Sequence, residues 1–236
     1  MLLRRTRHIW KRKVQGAIFS ATAMQDLLDE REKDILENSM GFRGQWEEHR
    51  RFQIEQLKSL GLKADHRFLE IGCGPLTAGI PIIDYLEPGN YVGVDVRSSV
   101  LNLSWAQIGR NGLSAKNPRL IRSDNFAAAE LDGVLFDYIW SFSVLYHLTD
   151  EILDSLLANV AKRLAPRGHY YANVMIDMDN SRWLEFPFLR RTVDNYRAIA
   201  AKHGLDVREL GTIADLGFRL TGGERTNPLL EFSLRA

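Results

Sequence analysis

Two glycines follow directly on an apolar, β-rich run in FLEIGCGPLTAG, Phe68 to Gly79. Gly72 and Gly74 give G-x-G at a strand end, where a missing Cβ lets the backbone come close to a ligand. What comes next narrows the ligand. A dinucleotide loop needs a third glycine at position 77, which is Thr77, and a P-loop needs a Gly-Lys-Ser/Thr that does not follow. Glu70 stands just before the loop, where a carboxylate would repel a pyrophosphate but suit a cationic ligand. Asp95 ends the next strand-like run, YVGVDV, and can accept both hydroxyls of a ribose, as it would for NAD. In LIRSDNF, Asp124 and Asn125 can address an adenine edge and Phe126 its face.

These residues need a scaffold that brings strand ends together. Apolar runs occur at 68–71, 91–96, 119–122, 136–142, 168–176, 205–210 and 229–234. Helical spacing fills 78–86, 98–110, 151–164 and 192–203, and a further helix over 42–60 ends at Gly61. Strand, helix, strand repeated in this way predicts an α/β fold with a parallel sheet covered on both faces and ligands at its carboxyl ends. Thr149 before Asp150 and Glu151 reads as a helix cap with an acidic first turn; Pro166 and Gly168 should stop that helix, and Gly204 the next. Residues 1–62 read as an N-terminal helical extension and 63–236 as the main domain.

The totals fit one domain with an appendage: 236 residues, 45% hydrophobic and 26% charged. Cys73 is the single cysteine, so no intramolecular disulfide and no thiolate metal cluster can form, as expected of a reducing cytoplasm. Net charge is +1, yet residues 1–15 hold six basic residues and no acid, which leaves −5 on the rest. A nucleic-acid footprint is therefore not expected outside that arm. No apolar run is long enough to span a bilayer or to form a secretory signal.

LEIGCGP, GVDV, SDNF, FDYIWSFSVLYHL and RLAPRGHYY, in this order and spacing, resemble the motifs of class I S-adenosylmethionine-dependent methyltransferases. The resemblance runs from about Lys63 to the carboxyl terminus. It implies a Rossmann-like, seven-stranded, mostly parallel sheet with an antiparallel last strand, and S-adenosylmethionine as cofactor. Gly72 and Gly74 would lie beside its amino acid end, Asp95 on the ribose and Asp124 near the adenine. Glu70, Cys73, Val96, Asn125, Phe126 and Ser141 complete the expected cofactor side. Leu76 stands where the family often has a third glycine, and with Thr77 and Gly79 it is expected to reshape the methionine pocket.

The sulfonium methyl is already activated, so the protein must chiefly align an acceptor and exclude water. A hydroxyl acceptor must also lose a proton, and His147, just past the fourth strand, is the candidate base, with Tyr146 beside it. The plainer reading of both is packing where a helix begins. The family's Asn/Asp-Pro-Pro-aromatic tetrapeptide is replaced by SFSV, and Cys73 lies inside the cofactor loop, which argues against nucleobase amines and pyrimidine carbons. Oxygen methylation of a small-molecule, glycan or lipid-linked acceptor leads. An RNA methyltransferase recruited by the basic arm, or a silent S-adenosylmethionine-binding domain, is the alternative. Asp177 and Asp179 read as solvated loop acids, and no metal is expected.

Two segments remain. Trp183, Phe186 and Phe188, beside Arg182, Arg190 and Arg191, either form an acceptor lid, apolar inside and basic outside, or cover the sheet edge. As a helix, residues 2–18 place Leu2, Ile9, Trp10 and Val14 on one half of the wheel and Arg4, Arg5, Lys11 and Arg12 on the other. Such a helix suits an anionic membrane surface, RNA phosphates, a second subunit or the chain's own core.

Overall fold

A computed structural model describes residues 31, 33–38, 44–124, 126, 128–176, 181–183, 186–219 and 226–235. The chain divides into two units, Met1–Arg43 and Gly44–Ala236. In the first, residues 33–38 are helical. The basic arm, Asn125, Asp177 and Asp179 lie outside the described residues.

In the second unit the strands are β1 (Phe68–Ile71), β2 (Tyr91–Asp95), β3 (Arg119–Arg122), β4 (Phe136–Ser141), β5 (Leu164–Asn173), β6 (Ser181–Trp183), β7 (Phe186–Phe188), β8 (Leu205–Thr212) and β9 (Pro228–Leu234). Seven form one sheet in the order β3-β2-β1-β4-β5-β9-β8. Strands β1 to β5 run parallel, and β9 lies antiparallel between β5 and β8. Every residue of β1 and β2 is buried, which explains why their runs are apolar apart from Glu70 and Asp95: parallel strands with helices on both faces have no wet side. One face carries Leu69, Ile71, Ile139 and Tyr170, and the other Phe68, Tyr138, Trp140 and Tyr171.

The helices are α1 (Trp46–Ser59), α2 (Gly79–Tyr85), α3 (Ser98–Arg110), α4 (Asp150–Arg163) and α5 (Val193–Ala201). Helix α1 buries Phe52 and Leu57 in the second cluster, and its Gln53 Oε1 accepts the indole N–H of Trp140 at 2.9 Å. Thr149 caps α4, accepting from the Ile152 N–H, and Thr192 with Asn195 forms a capping box on α5. No helix among the described residues is long and apolar enough to cross a membrane. Two details depart from expectation. Strand β5 begins at Leu164 and runs through Pro166 and Gly168, because a register shift between Phe136 and Tyr138 admits a residue that cannot donate. And β6 and β7 pair as a separate hairpin.

Leu76 has φ 64°, a left-handed conformation that costs a leucine roughly 1–2 kcal/mol. Its side chain is fully buried, which returns about 1.5–3 kcal/mol and so outweighs the strain. Leu76 therefore turns into the core beneath the loop rather than into a ligand pocket. Gly79 makes the room: a Cβ there would lie 2.5 Å from Leu76 Cδ2 and 2.7 Å from the Tyr91 hydroxyl. Gly79→Ala is expected to cost about 1–3 kcal/mol in urea unfolding. In a Leu76→Gly background that cost should shrink by at least about 0.5 kcal/mol; strict additivity would show that this contact is not what excludes the methyl group.

Candidate active site

The carboxyl ends of β1 and β2 are tied together by backbone and carboxylate. Gly72, at φ +71°, and Cys73 both donate their N–H to Val94 O, at 2.7 and 3.0 Å. A Cβ on Gly72 would fall 2.4 Å from Val144 Cγ2, so conformation and space both require glycine here. The Gly74 N–H donates to Asp95 Oδ2 at 3.0 Å and the Arg97 N–H to Asp95 Oδ1 at 2.9 Å. One carboxylate thus fixes the loop after β1 and the turn after β2. From α3, the Ser104 hydroxyl donates to Gly74 O at 2.7 Å.

Glu70 points beneath that loop. It is buried, accepts the Tyr91 hydroxyl, and burial pushes its carboxyl up to about 8. At neutral pH it is mostly uncharged, so the attraction for a cationic ligand expected of it falls to Asp95. The buried Cys73 thiol is likewise pushed up, which suppresses its thiolate. Around the same rim, Leu76, Phe126 and Ser143, which follow β1, β3 and β4, all have positive φ. Left-handed non-glycine residues gathered at strand ends are a signature of functional sites.

At the end of β4, residues Leu145–His147 form a 3₁₀ turn. The His147 Nδ1–H donates to Pro187 O at 2.8 Å, across to the β6–β7 hairpin. Phe188 stacks on the buried Tyr146, centroids 5.6 Å apart, and lies 4.8 Å from the His147 ring. Burial holds the His147 ring below its ordinary value, and the nearby positive charge of Arg97 lowers it further. Arg97 also sits over the Phe186 ring at 5.8 Å, so the turn after β2 and the turn after β4 meet under the hairpin. Arg191 departs from the expected basic exterior: it is buried and donates to Leu148 O and to Asp150 Oδ1, both at 2.6 Å. Unfilled carbonyls after the 3₁₀ turn and the acid at the start of α4 draw the guanidinium inwards.

The family model described as methyltransferase domain matches residues 69–170. Solved structures share the fold. An S-adenosylmethionine-dependent methyltransferase from Clostridium acetobutylicum superposes with a TM-score of 0.65 at 12% identity, over 89% of this chain and 100% of that one. The CcbJ methyltransferase from Streptomyces caelestis gives 0.62 at 14%, over 79% and 90%. Magnesium protoporphyrin IX methyltransferase from Synechocystis, with S-adenosylmethionine bound, gives 0.60 at 14%, over 80% of each. No curated protein matches. Residues 69–170 are a methyltransferase domain, and the sheet that holds them has the fold of S-adenosylmethionine-dependent methyltransferases.

The methyltransferase fold brings Gly72, Cys73, Gly74, Asp95 and Val96 together at the ends of β1 and β2. His147 and Tyr146 lie at the end of β4. Other expected residues sit differently. Asp124 is exposed and pairs with Arg122 at 2.7 Å; Phe126 is in the core; and Ser141, wholly buried, bonds the Tyr170 hydroxyl at 2.8 Å. Ser104, Arg97 and Pro187 were not among the expected residues. Ser104 is a small polar residue on the buried side of an amphipathic helix, a weak signal, whereas a carbonyl such as that of Pro187 leaves none in sequence.

Glu70 gives the methyltransferase a pH-dependent stability. Folded, its carboxyl keeps a proton up to about 8; unfolded, it loses it near 4.5. Its contribution is full below 4.5 and is lost as pH rises to about 8, at up to about 1.4 kcal/mol per unit. His49 in α1, held at about 4 by burial, opposes it, costing stability as pH falls from 6.5 towards 4. Chemical unfolding of the wild type should therefore show opposing slopes between 4.5 and 6.5 and falling stability from 6.5 to 8. Glu70→Gln should abolish the fall and leave a rise from 4 to 6.5; unchanged slopes would refute the assignment.

Proposed function

We propose that this methyltransferase methylates a hydroxyl oxygen of a small-molecule, glycan or lipid-linked acceptor, with His147 as general base. The hydrogen bond from His147 Nδ1–H to Pro187 O carries the reading, because it sets the tautomer and leaves the Nε2 lone pair as the ring's basic site. Burial and the Arg97 charge disfavour the imidazolium, so the base is neutral at working pH. Tyr146 and Phe188 hold the ring in place by packing. The β6–β7 hairpin covers the turn from above, which is the arrangement that excludes water.

The donor side fits S-adenosylmethionine. Gly72 and Gly74 offer backbone without side chains to its amino acid end. The Asp95 oxygens accept N–H groups from Gly74 and Arg97 and retain lone pairs for ribose hydroxyls. When bound, the cofactor supplies a methyl group on an electrophilic sulfonium. His147 takes the acceptor's proton at Nε2, and the protein's remaining task is alignment. That the Synechocystis neighbour is named for magnesium protoporphyrin IX supports an organic, non-nucleic-acid acceptor within this fold.

Two measurements test the assignment. Asp95→Ala should weaken S-adenosylhomocysteine at least tenfold in calorimetry, since it removes the ribose acceptor and frees the Gly74 loop. With an acceptor selected from hydroxylated compounds by S-adenosylhomocysteine release, His147→Ala should lower kcat by about 10²–10⁴-fold. S-adenosylhomocysteine affinity should stay within twofold. The wild-type rate should fall on the acid side with an inflection below 6.5, the ordinary histidine value, and His147→Ala should lack it. An inflection that persists, or an undiminished kcat, would remove His147 from the chemistry.

A further inference from the structure

The turn that carries His147 is gripped from outside by residues 187–191, the chain that runs out of β7. Arg191, 6% exposed, donates from Nη2 to Leu148 O and to Asp150 Oδ1, both at 2.6 Å, from Nε to Asp150 Oδ1 at 2.9 Å, and from Nη1 to Leu145 O at 3.5 Å. Leu145 opens the 3₁₀ turn and Leu148 closes it, so the guanidinium holds the chain on either side of His147. Between those two grips, the Leu189 N–H donates to Tyr146 O at 2.8 Å, and Pro187 O accepts the His147 ring N–H. The carbonyls of 145, 146 and 148 thus all meet donors from one five-residue stretch.

Stability alone accounts poorly for Arg191. Burying a guanidinium is costly, and apolar side chains of similar volume often serve a core equally well or better. The Asp150 carboxylate is 78% exposed, so water weakens what the ion pair contributes. A leucine would cover the sheet edge but could donate to no carbonyl. The rigid, planar fork of an arginine fixes Leu145, Leu148 and Asp150 relative to one another at once, which the single flexible ammonium of a lysine does not do.

We infer that Arg191 is a positioning residue for methyl transfer: by gripping the turn between β4 and α4 on both sides, it holds the His147 ring against Pro187 O and so keeps the Nε2 lone pair for the acceptor. This rests on the reading of His147 as general base and adds the residue that sets its tautomer. The leverage is short. His147 is one residue from Leu148 and two from Leu145, and Pro187 is four from Arg191, so slack at Arg191 loosens the ring's bond from both ends. Once that bond is lost, the ring proton is free to move from Nδ1 to Nε2, and the nitrogen meant to take the acceptor's proton already carries one.

Ring ¹⁵N spectra of the full chain labelled at histidine, with His147 assigned by its loss in His147→Ala, read the tautomer directly. Above the ring's titration, the wild type should show the proton on Nδ1, and Arg191→Lys should show about a quarter or more of it on Nε2. With the selected acceptor, Arg191→Lys should lower kcat about tenfold or more while KM and S-adenosylhomocysteine affinity stay within about twofold. An unchanged tautomer in folded Arg191→Lys, or a kcat that falls only together with S-adenosylhomocysteine affinity, would overturn the inference. Should His147→Ala keep its kcat, the general-base reading fails instead, and the tautomer comparison still decides on Arg191. If Arg191→Lys does not fold, Arg191→Gln, an uncharged donor without the fork, supplies the same comparison.

Discussion

One carboxylate organises the donor side. Asp95 ends β2 and accepts an N–H from each of two loops, so the position of Gly74 and that of Arg97 are set by the same two oxygens. Charge-assisted bonds of this kind are stronger than neutral ones and lose little to solvent when the acid is buried. The effect reaches further than the two loops. Arg97 carries the registration on to Phe186, and the hairpin that holds Phe186 carries it to His147. The donor and acceptor halves of the site thus share one mechanical reference at the end of β2.

Around that reference the fold accepts local strain. Leu76, Phe126 and Ser143 all sit in left-handed geometry at strand ends. Each position is held by something specific: Leu76 and Phe126 by burial, Ser143 by its N–H bond to Asn173. The strain at Leu76 survives because Gly79 removes the competing methyl group. A leucine where relatives of this fold favour glycine therefore tightens the base of the loop instead of filling the crevice.

Most of the scaffold was legible because parallel strands buried on two faces are chiefly apolar, and because Thr149 and Thr192 announce helix starts chemically. The seven-stranded sheet with an antiparallel last strand followed from the family resemblance, whereas the strand order did not. What escaped was decided by partners distant in sequence. Glu70 looked like a ligand carboxylate, but Tyr91, on the neighbouring strand, takes it into the core. Arg191 looked like surface charge until the carbonyls of Leu145 and Leu148 and the Asp150 carboxylate drew it in. The hairpin of β6 and β7 is too short for periodicity to reveal, and its purpose lies in the bond between Pro187 and His147, forty residues apart.

The placing of β9 has a consequence for biosynthesis. Strand β8 reaches the sheet only through β9, which follows it in the chain. While a ribosome still holds the residues from Pro228 onwards, β5 presents a bare edge and β8 has nothing to pair with. A nascent chain at that stage already contains both His147 and the glycine loop, yet two of the seven strands of its sheet are unpaired. Chaperone cover would matter most in that interval, and premature termination there should yield an insoluble product rather than a partly active one.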